Sequence, residues 1–213
     1  MTHTCTAPPR GILRPEGGGQ VDLRWHEPSG DLAFFVEGHW IVAWDARGGP
    51  PQDIEVPAQP CVNVLFEPDG PSAYGVHTPV VAGTTDDAGW RVATRFRPAG
   101  FQPFSRSHMS DLTGRVVALH EIFQMPRPAP DVLGAADDRA AIGMVEDLLR
   151  AQHPARDPNV DLVNRMITAM IDDPELTGVD AVATRFAMTP HGLHRLFARY
   201  VGVPPAAFLR ESG

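Results

Sequence analysis

The chain of 213 residues contains no lysine, since all 18 of its basic residues are arginines. With 20 glycines and 22 prolines, this is the codon signature of a GC-rich genome and carries no functional meaning. Cysteine is nearly missing too. Cys5 lies near the terminus and Cys61 in an apolar run, so no disulfide framework is expected and a buried core must hold the fold. No apolar run is long enough to cross a bilayer, and MTHTCTAPPRGILRPEGGG has no apolar stretch of signal-peptide length, which makes the cytoplasm the expected location. Disorder is excluded by a hydrophobic content of 43% against 21% charged residues. Catalytic signatures are lacking as well. There is no G-x-S-x-G elbow, P-loop or dinucleotide fingerprint, and Gly17–Gly19 lack the strand-then-helix setting such a fingerprint needs. No catalytic residue, cofactor or metal site is expected.

Positive charge is scarce but unevenly placed. The net charge is −8, which argues against indiscriminate nucleic-acid binding. Between Ala181 and Gly213, however, Arg185, Arg195, Arg199 and Arg210 face the single acid Glu211, leaving an acidic body with a basic end. That distribution suits a protein whose main part stays off DNA while one tip approaches it. An ordinary arginine-bearing helix would show the same charge.

Two periodicities divide the chain. From about Val21 to Pro103, short β-branched and aromatic runs (VDLRWH, HWIVAWD, DIEVP, CVNVLFE, SAYGVH, WRVATRF) alternate with turn signals such as EPSG and EPDG. Their spacing predicts a sandwich or small barrel. In WRVATRFRP, Trp90, Val92, Thr94 and Phe96 share one face while Arg91, Arg95 and Arg97 point the other way, so that side is either wet or lines a polar cavity. After Phe104 the pattern turns helical. DDRAAIGMVEDLLRAQ carries Ala141, Met144, Val145, Leu148 and Leu149 on one stripe, and Asp157-Pro158 opens a second helix ending near Asp172. The expected organisation is a flexible segment 1–20, a β-rich domain 21–124, a linker 125–136 holding a short helix near Asp131–Ala135, and a helical region 137–213. The fold class is α+β.

The most informative stretch is VDAVATRFAMTPHGLHRLFARYVGVPPAAFLRESG. Val179, Val182, Ala183 and Phe186 fall on one face of a short helix. Thr189 is a natural N-cap with Pro190 at the first helical position of a second. On that second helix Leu193, Leu196, Phe197 and Tyr200 point inward, leaving His191, His194, Arg195 and Arg199 on or beside the outer face. This describes a helix-turn-helix over 179–201, although a plain helical hairpin would share much of the pattern. The chemistry suits a groove, because arginine donates two hydrogen bonds to guanine and the helix start presents N–H groups to a phosphate.

The order Thr189, Leu193, Arg195, Leu196, Phe197, Gly202, Val203, Pro205 is similar to the first helix-turn-helix of AraC-type transcription regulators. Upstream, EGHWIVAWD, VPAQPCVNVLFE and RFRPAGFQPF resemble the effector domain of a bacterial branch of that family. The resemblance implies a cupin-like β-barrel that senses a small molecule or dimerises, followed by helices and a head that reads double-stranded DNA. It places His191, His194 and Arg195 at bases and Arg199 at phosphate, with Thr189 capping the reading helix. Ala187 stands where the family usually has glycine at the turn, and Gly192 lies inside the reading helix. The family continues into a second helix-turn-helix, whereas this chain stops at Glu211-Ser212-Gly213. One head should bind weakly and a homodimer would supply two.

If the β-rich part is an effector domain, its barrel mouth is the expected pocket, with Trp40, Trp44, Asn63, Phe66, His77, Arg95 and Phe96 as candidate lining residues. A filled barrel core would use the same side chains. Two rival functions remain: a short form that binds an effector and dimerises without gripping DNA, and a small cupin-type metalloenzyme. The second is poorly supplied, since His26, His39 and His77 come one per run with no H-x-H pair, and His108 and His120 lie beyond the strands.

Overall fold

The computed structural model describes residues 20–45, 53–56, 60–84, 88–126 and 129–206; Cys5, Arg127, Arg210 and nearly all of the 1–20 segment lie outside them. The runs rich in Val, Ile, Trp and Phe form strands β1 (Gln20–His26), β2 (Val36–Asp45), β3 (Asp53–Val56), β4 (Asn63–Phe66), β5 (Ser72–Tyr74), β6 (Val80–Thr84), β7 (Ala88–Phe96) and β8 (Val116–Ala118). Six of them build an antiparallel sheet in the order β1-β2-β7-β4-β5-β8, while β3 and β6 pair separately. The larger sheet is open. Its edges are β1 and β8, and β3 pairs with β6 instead of bridging those edges, so the described strands form no closed barrel.

Register decides which residues share a face. Trp25 pairs with Trp40, Trp40 with Ala93, and Ala93 with Leu65, placing these four in one row. Trp40, Val42, Trp44, Leu65, Tyr74 and Ala93 form an apolar cluster there, joined by Val80 at the start of β6. Of the arginines expected on a wet side or a polar cavity, Arg97 is exposed, whereas Arg91 and Arg95 are partly buried beside this apolar cluster. On the opposite face Ile41, Val64, Phe66, Val92 and Phe96 join a second cluster that extends into the helices. Its centre is aromatic. Phe96 meets Phe101 edge-on at 4.9 Å and Phe104 at 5.4 Å, and Phe101 and Phe104 both stack on Phe123.

Four helices follow: α1 (Asp138–Ala151), α2 (Pro158–Asp172), α3 (Val179–Arg185) and α4 (Pro190–Tyr200). The Asp137 carboxylate accepts from the Ala140 N–H at 2.8 Å to cap α1, and Asp157 accepts from the Asn159 N–H at 2.9 Å to cap α2. Helix α1 presents Ala141, Val145, Leu148 and Leu149 to the sheet-side core. Within the span expected to be a linker, a 3-10 turn at Val132–Gly134 buries Val132 to 2% exposure, and its N–H at Gly134 is capped by Asp131.

A polar network crosses the junction of sheet and α1. His39 of β2 is fully buried, with Nδ1 2.9 Å from the Thr94 hydroxyl and Nε2 3.4 Å from a Glu146 carboxylate oxygen of α1. Glu146 also accepts from the Ser29 N–H and hydroxyl and from Arg150, whose guanidinium reaches Asp31. Burial pushes the His39 imidazole down to about 4, opposed in part by Glu146. Burial pulls the Glu146 carboxyl upward, but the Ser29 hydrogen bonds, His39 and Arg150 together hold it below its ordinary value.

Candidate nucleic-acid interface

The pair α3 and α4 is built around a short apolar seam. Val182 and Ala183 of α3 face Leu193, Phe197 and Tyr200 of α4, and all five are nearly or fully buried. The two helices are joined by Phe186–Thr189. Here Ala187 adopts φ 52, the left-handed conformation that its departure from glycine made a concern. A non-glycine residue there costs on the order of 1 kcal/mol. Thr189 then caps α4, its hydroxyl accepting from the Gly192 N–H at 3.1 Å, with Pro190 in the first turn. Gly192 has a local reason. A Cβ at that position would sit 3.2 Å from the capping hydroxyl and crowd the bond that starts the helix.

With the seam buried, the other side of α4 is polar by necessity. His191, His194, Arg195 and Arg199 are exposed, and the Arg199 guanidinium lies 5.6 Å above the Tyr200 ring. All four fall where their helical spacing predicted. The far end of α4 is anchored to α2, where the Tyr200 hydroxyl donates to Asp157 and accepts from the Asn159 side-chain N–H at 3.1 Å. Burial and the Asp157 carboxylate raise the Tyr200 phenol above its ordinary range.

Beside this helix lies a hollow of about 370 Å³, lined by His191, His194, Arg195 and Ala198, the 202–204 turn and Ser110. Ser110 belongs to a 3-10 turn, Met109–Asp111, far away in sequence. No spacing rule signals this neighbour. The contact depends on Gly202, at φ 97, where a Cβ would fall 2.8 Å from the Thr113 hydroxyl and 2.9 Å from the Met109 carbonyl. That hydroxyl donates to the Gly202 carbonyl at 2.8 Å.

The seven residues proposed to line a ligand pocket do not meet in one place. Trp40, Trp44, Asn63 and Arg95 occupy the enclosed face of the sheet, and His77 stands at φ 61 in the turn between β5 and β6. Phe66 and Phe96 lie on the opposite face, in the core shared with the helices. Alternation along β4 and β7 separates them, because residues an odd number apart point to opposite faces. The enclosed face also carries Arg91, whose guanidinium stacks 5.0 Å from the Trp44 ring and whose pKa burial lowers. Arg95 pairs with Glu37 at 2.9 Å. Among the described residues no three of His, Cys, Asp and Glu converge in metal-binding range. Cys61 is buried, which pushes its thiol up to about 11.

Comparison with known families matches residues 24–118 to the model described as Domain of unknown function (DUF6597). Residues 24–118 are similar to that domain, and the similarity spans less than half of the chain. This match covers the β-rich part, reaches Ser110 and ends before α1. No curated protein and no solved structure gives a significant match. Among the described residues, no helix is long and apolar enough to cross a membrane.

Proposed function

We propose that this chain is a DNA-binding transcription regulator of AraC type, with a cupin-like effector portion and a helix-turn-helix formed by α3 and α4. The observation that carries this reading is the capped, amphipathic α4. Its inner side is sealed against α3 and α2, while its outer side offers two imidazoles and two guanidiniums and no carboxylate. Such a surface has an electrostatic use on a phosphate backbone and a hydrogen-bonding use at guanine edges. The matched domain supports the reading, as domains of this kind often accompany AraC-type heads.

In this reading Thr189 sets the start of the reading helix, His191, His194 and Arg195 face bases, and Arg199 approaches phosphate. A small molecule enclosed beside Trp40, Trp44, Asn63 and Arg95 would act by altering where two heads stand in a cytoplasmic homodimer. One such head engages few phosphates, so its binding is weak and its salt slope is set by those few contacts. The test is a gel shift or anisotropy titration of duplex DNA across salt concentrations. Salt-sensitive binding that tightens on a selected palindromic site is expected. Absence of binding at low salt would overturn the proposal.

A further inference from the structure

The outer stripe of α4 does not end in open solvent. His191, His194, Arg195 and Ala198 succeed one another along the helix toward Gly202, and at that end Ser110 and Pro204 wall the same hollow. Ser110 is exposed. Arg115, also exposed, donates to the Asp111 carbonyl at 3.1 Å, which sets its guanidinium on the same turn. The spacing between turn and helix is fixed. The Thr113 hydroxyl bonds Gly202, and the close packing there leaves no room for a side chain.

We propose that the Met109–Asp111 turn is a second part of the duplex-DNA interface, with Ser110 and Arg115 meeting the phosphate backbone beside the groove that α4 enters. This rests on the reading of α4 as the reading helix. A helix that leads with its N-terminal residues at the bases has phosphates near its far end, because the groove is bounded by backbone. The group placed there is a hydroxyl with an arginine beside it, a donor pair suited to phosphate oxygens. One acid stands on the turn, Asp111, and its carboxylate accepts from the His108 N–H at 3.2 Å at the start of the turn. Around it stand the guanidiniums of Arg115, Arg195 and Arg199, all exposed, with the His191 and His194 imidazoles as further hydrogen-bonding groups. Phosphate contacts of this kind raise affinity without adding sequence preference.

The test uses the full chain, a mixed-sequence duplex and fluorescence anisotropy over a salt series, with unfolding midpoints to verify that each variant is folded. Arg115→Ala is expected to weaken binding roughly three- to tenfold and to flatten the salt slope by about one. Ser110→Glu is expected to weaken it roughly tenfold, since it sets a carboxylate against phosphate. Arg139→Ala, an exposed site on α1, serves as the control and should bind as the unchanged chain does. If Arg115→Ala and Ser110→Glu bind normally while Arg195→Ala is weakened, the turn is no part of the interface and the reading of α4 stands. Tighter binding by Ser110→Glu also overturns the inference. If the unchanged chain binds no duplex even at low salt, the reading of α4 falls and the inference with it.

Discussion

The sheet and the α3–α4 pair solve opposite problems. In β2 nearly every residue from Gly38 to Trp44 is buried, because one face packs on the helices and the other is enclosed with β6. In α4 burial is confined to one stripe, and everything off that stripe meets water. A two-sided burial leaves no surplus polarity to interpret, whereas a one-sided burial makes every outward residue informative. The proposed function therefore rests on the eleven residues of α4 more than on the sheet.

The two regions nevertheless share a core, and cutting it at the head gives the largest expected effect. Phe197 is fully buried in the cluster that runs back to Phe96 and Phe101. Phe197→Ala should cost about 3–5 kcal/mol. All four tryptophans lie in the sheet region, so their fluorescence reports on the sheet while far-UV circular dichroism reports on the helices. The two signals are expected to shift together in denaturant. Separate transitions would mean that the head melts alone and that the shared core is energetically weak.

Acid should strike the junction next. The His39 imidazole titrates near 6.5 when unfolded and is held down to about 4 when folded. Its contribution is fully present above about 6.5 and is lost as pH falls toward 4, because the unfolded chain binds the proton first. The drop amounts to about 3 kcal/mol over that window. His39→Gln should flatten the pH dependence of the denaturation midpoint. An unchanged slope would show that other groups, such as the lowered Glu146 and Asp138 carboxyls, govern acid unfolding.

Much of this architecture was legible from pattern alone. Alternation marked β1 to β5 and β7, an apolar stripe marked α1, and capping signals placed the starts of α2 and α4 at Asp157 and Thr189. β6 and β8 were missed. β8 is only three residues long and pairs with β5 across more than forty intervening residues, so nothing local announces it. The pocket candidates show the deeper limit. Phe66 and Asn63 differ by three positions on one strand, which places them on opposite faces. Aromatic content cannot say which face is a ligand wall when both are buried. The Ser110 contact escaped for a related reason, since it depends on Gly202 accepting the close approach of Thr113.

On the proposed reading of α4, two substitutions separate base reading from charge. Arg195→Ala should weaken duplex binding by about 1–3 kcal/mol and relax the preference for a selected site. Arg199→Ala should weaken all sequences alike and lower the salt slope by about one. Equal behaviour of the two variants on selected and mixed duplexes would remove the distinction between bases and backbone along α4.

The smallest effect concerns the turn that joins the two helices. Ala187 holds φ 52 so that the Met188 N–H can donate back to the Ala183 carbonyl at 2.8 Å and α4 can cross α3 with Phe197 inside. A Cβ strains this conformation, and glycine removes the strain while adding freedom to the unfolded chain. The two effects oppose each other, with the folded-state relief the larger at positive φ. Ala187→Gly should therefore stabilise the protein by about 0.5 kcal/mol, read as a small rise in denaturation midpoint with duplex binding unchanged. A loss of stability would show that alanine is tolerated there without strain, leaving only the entropic cost of glycine.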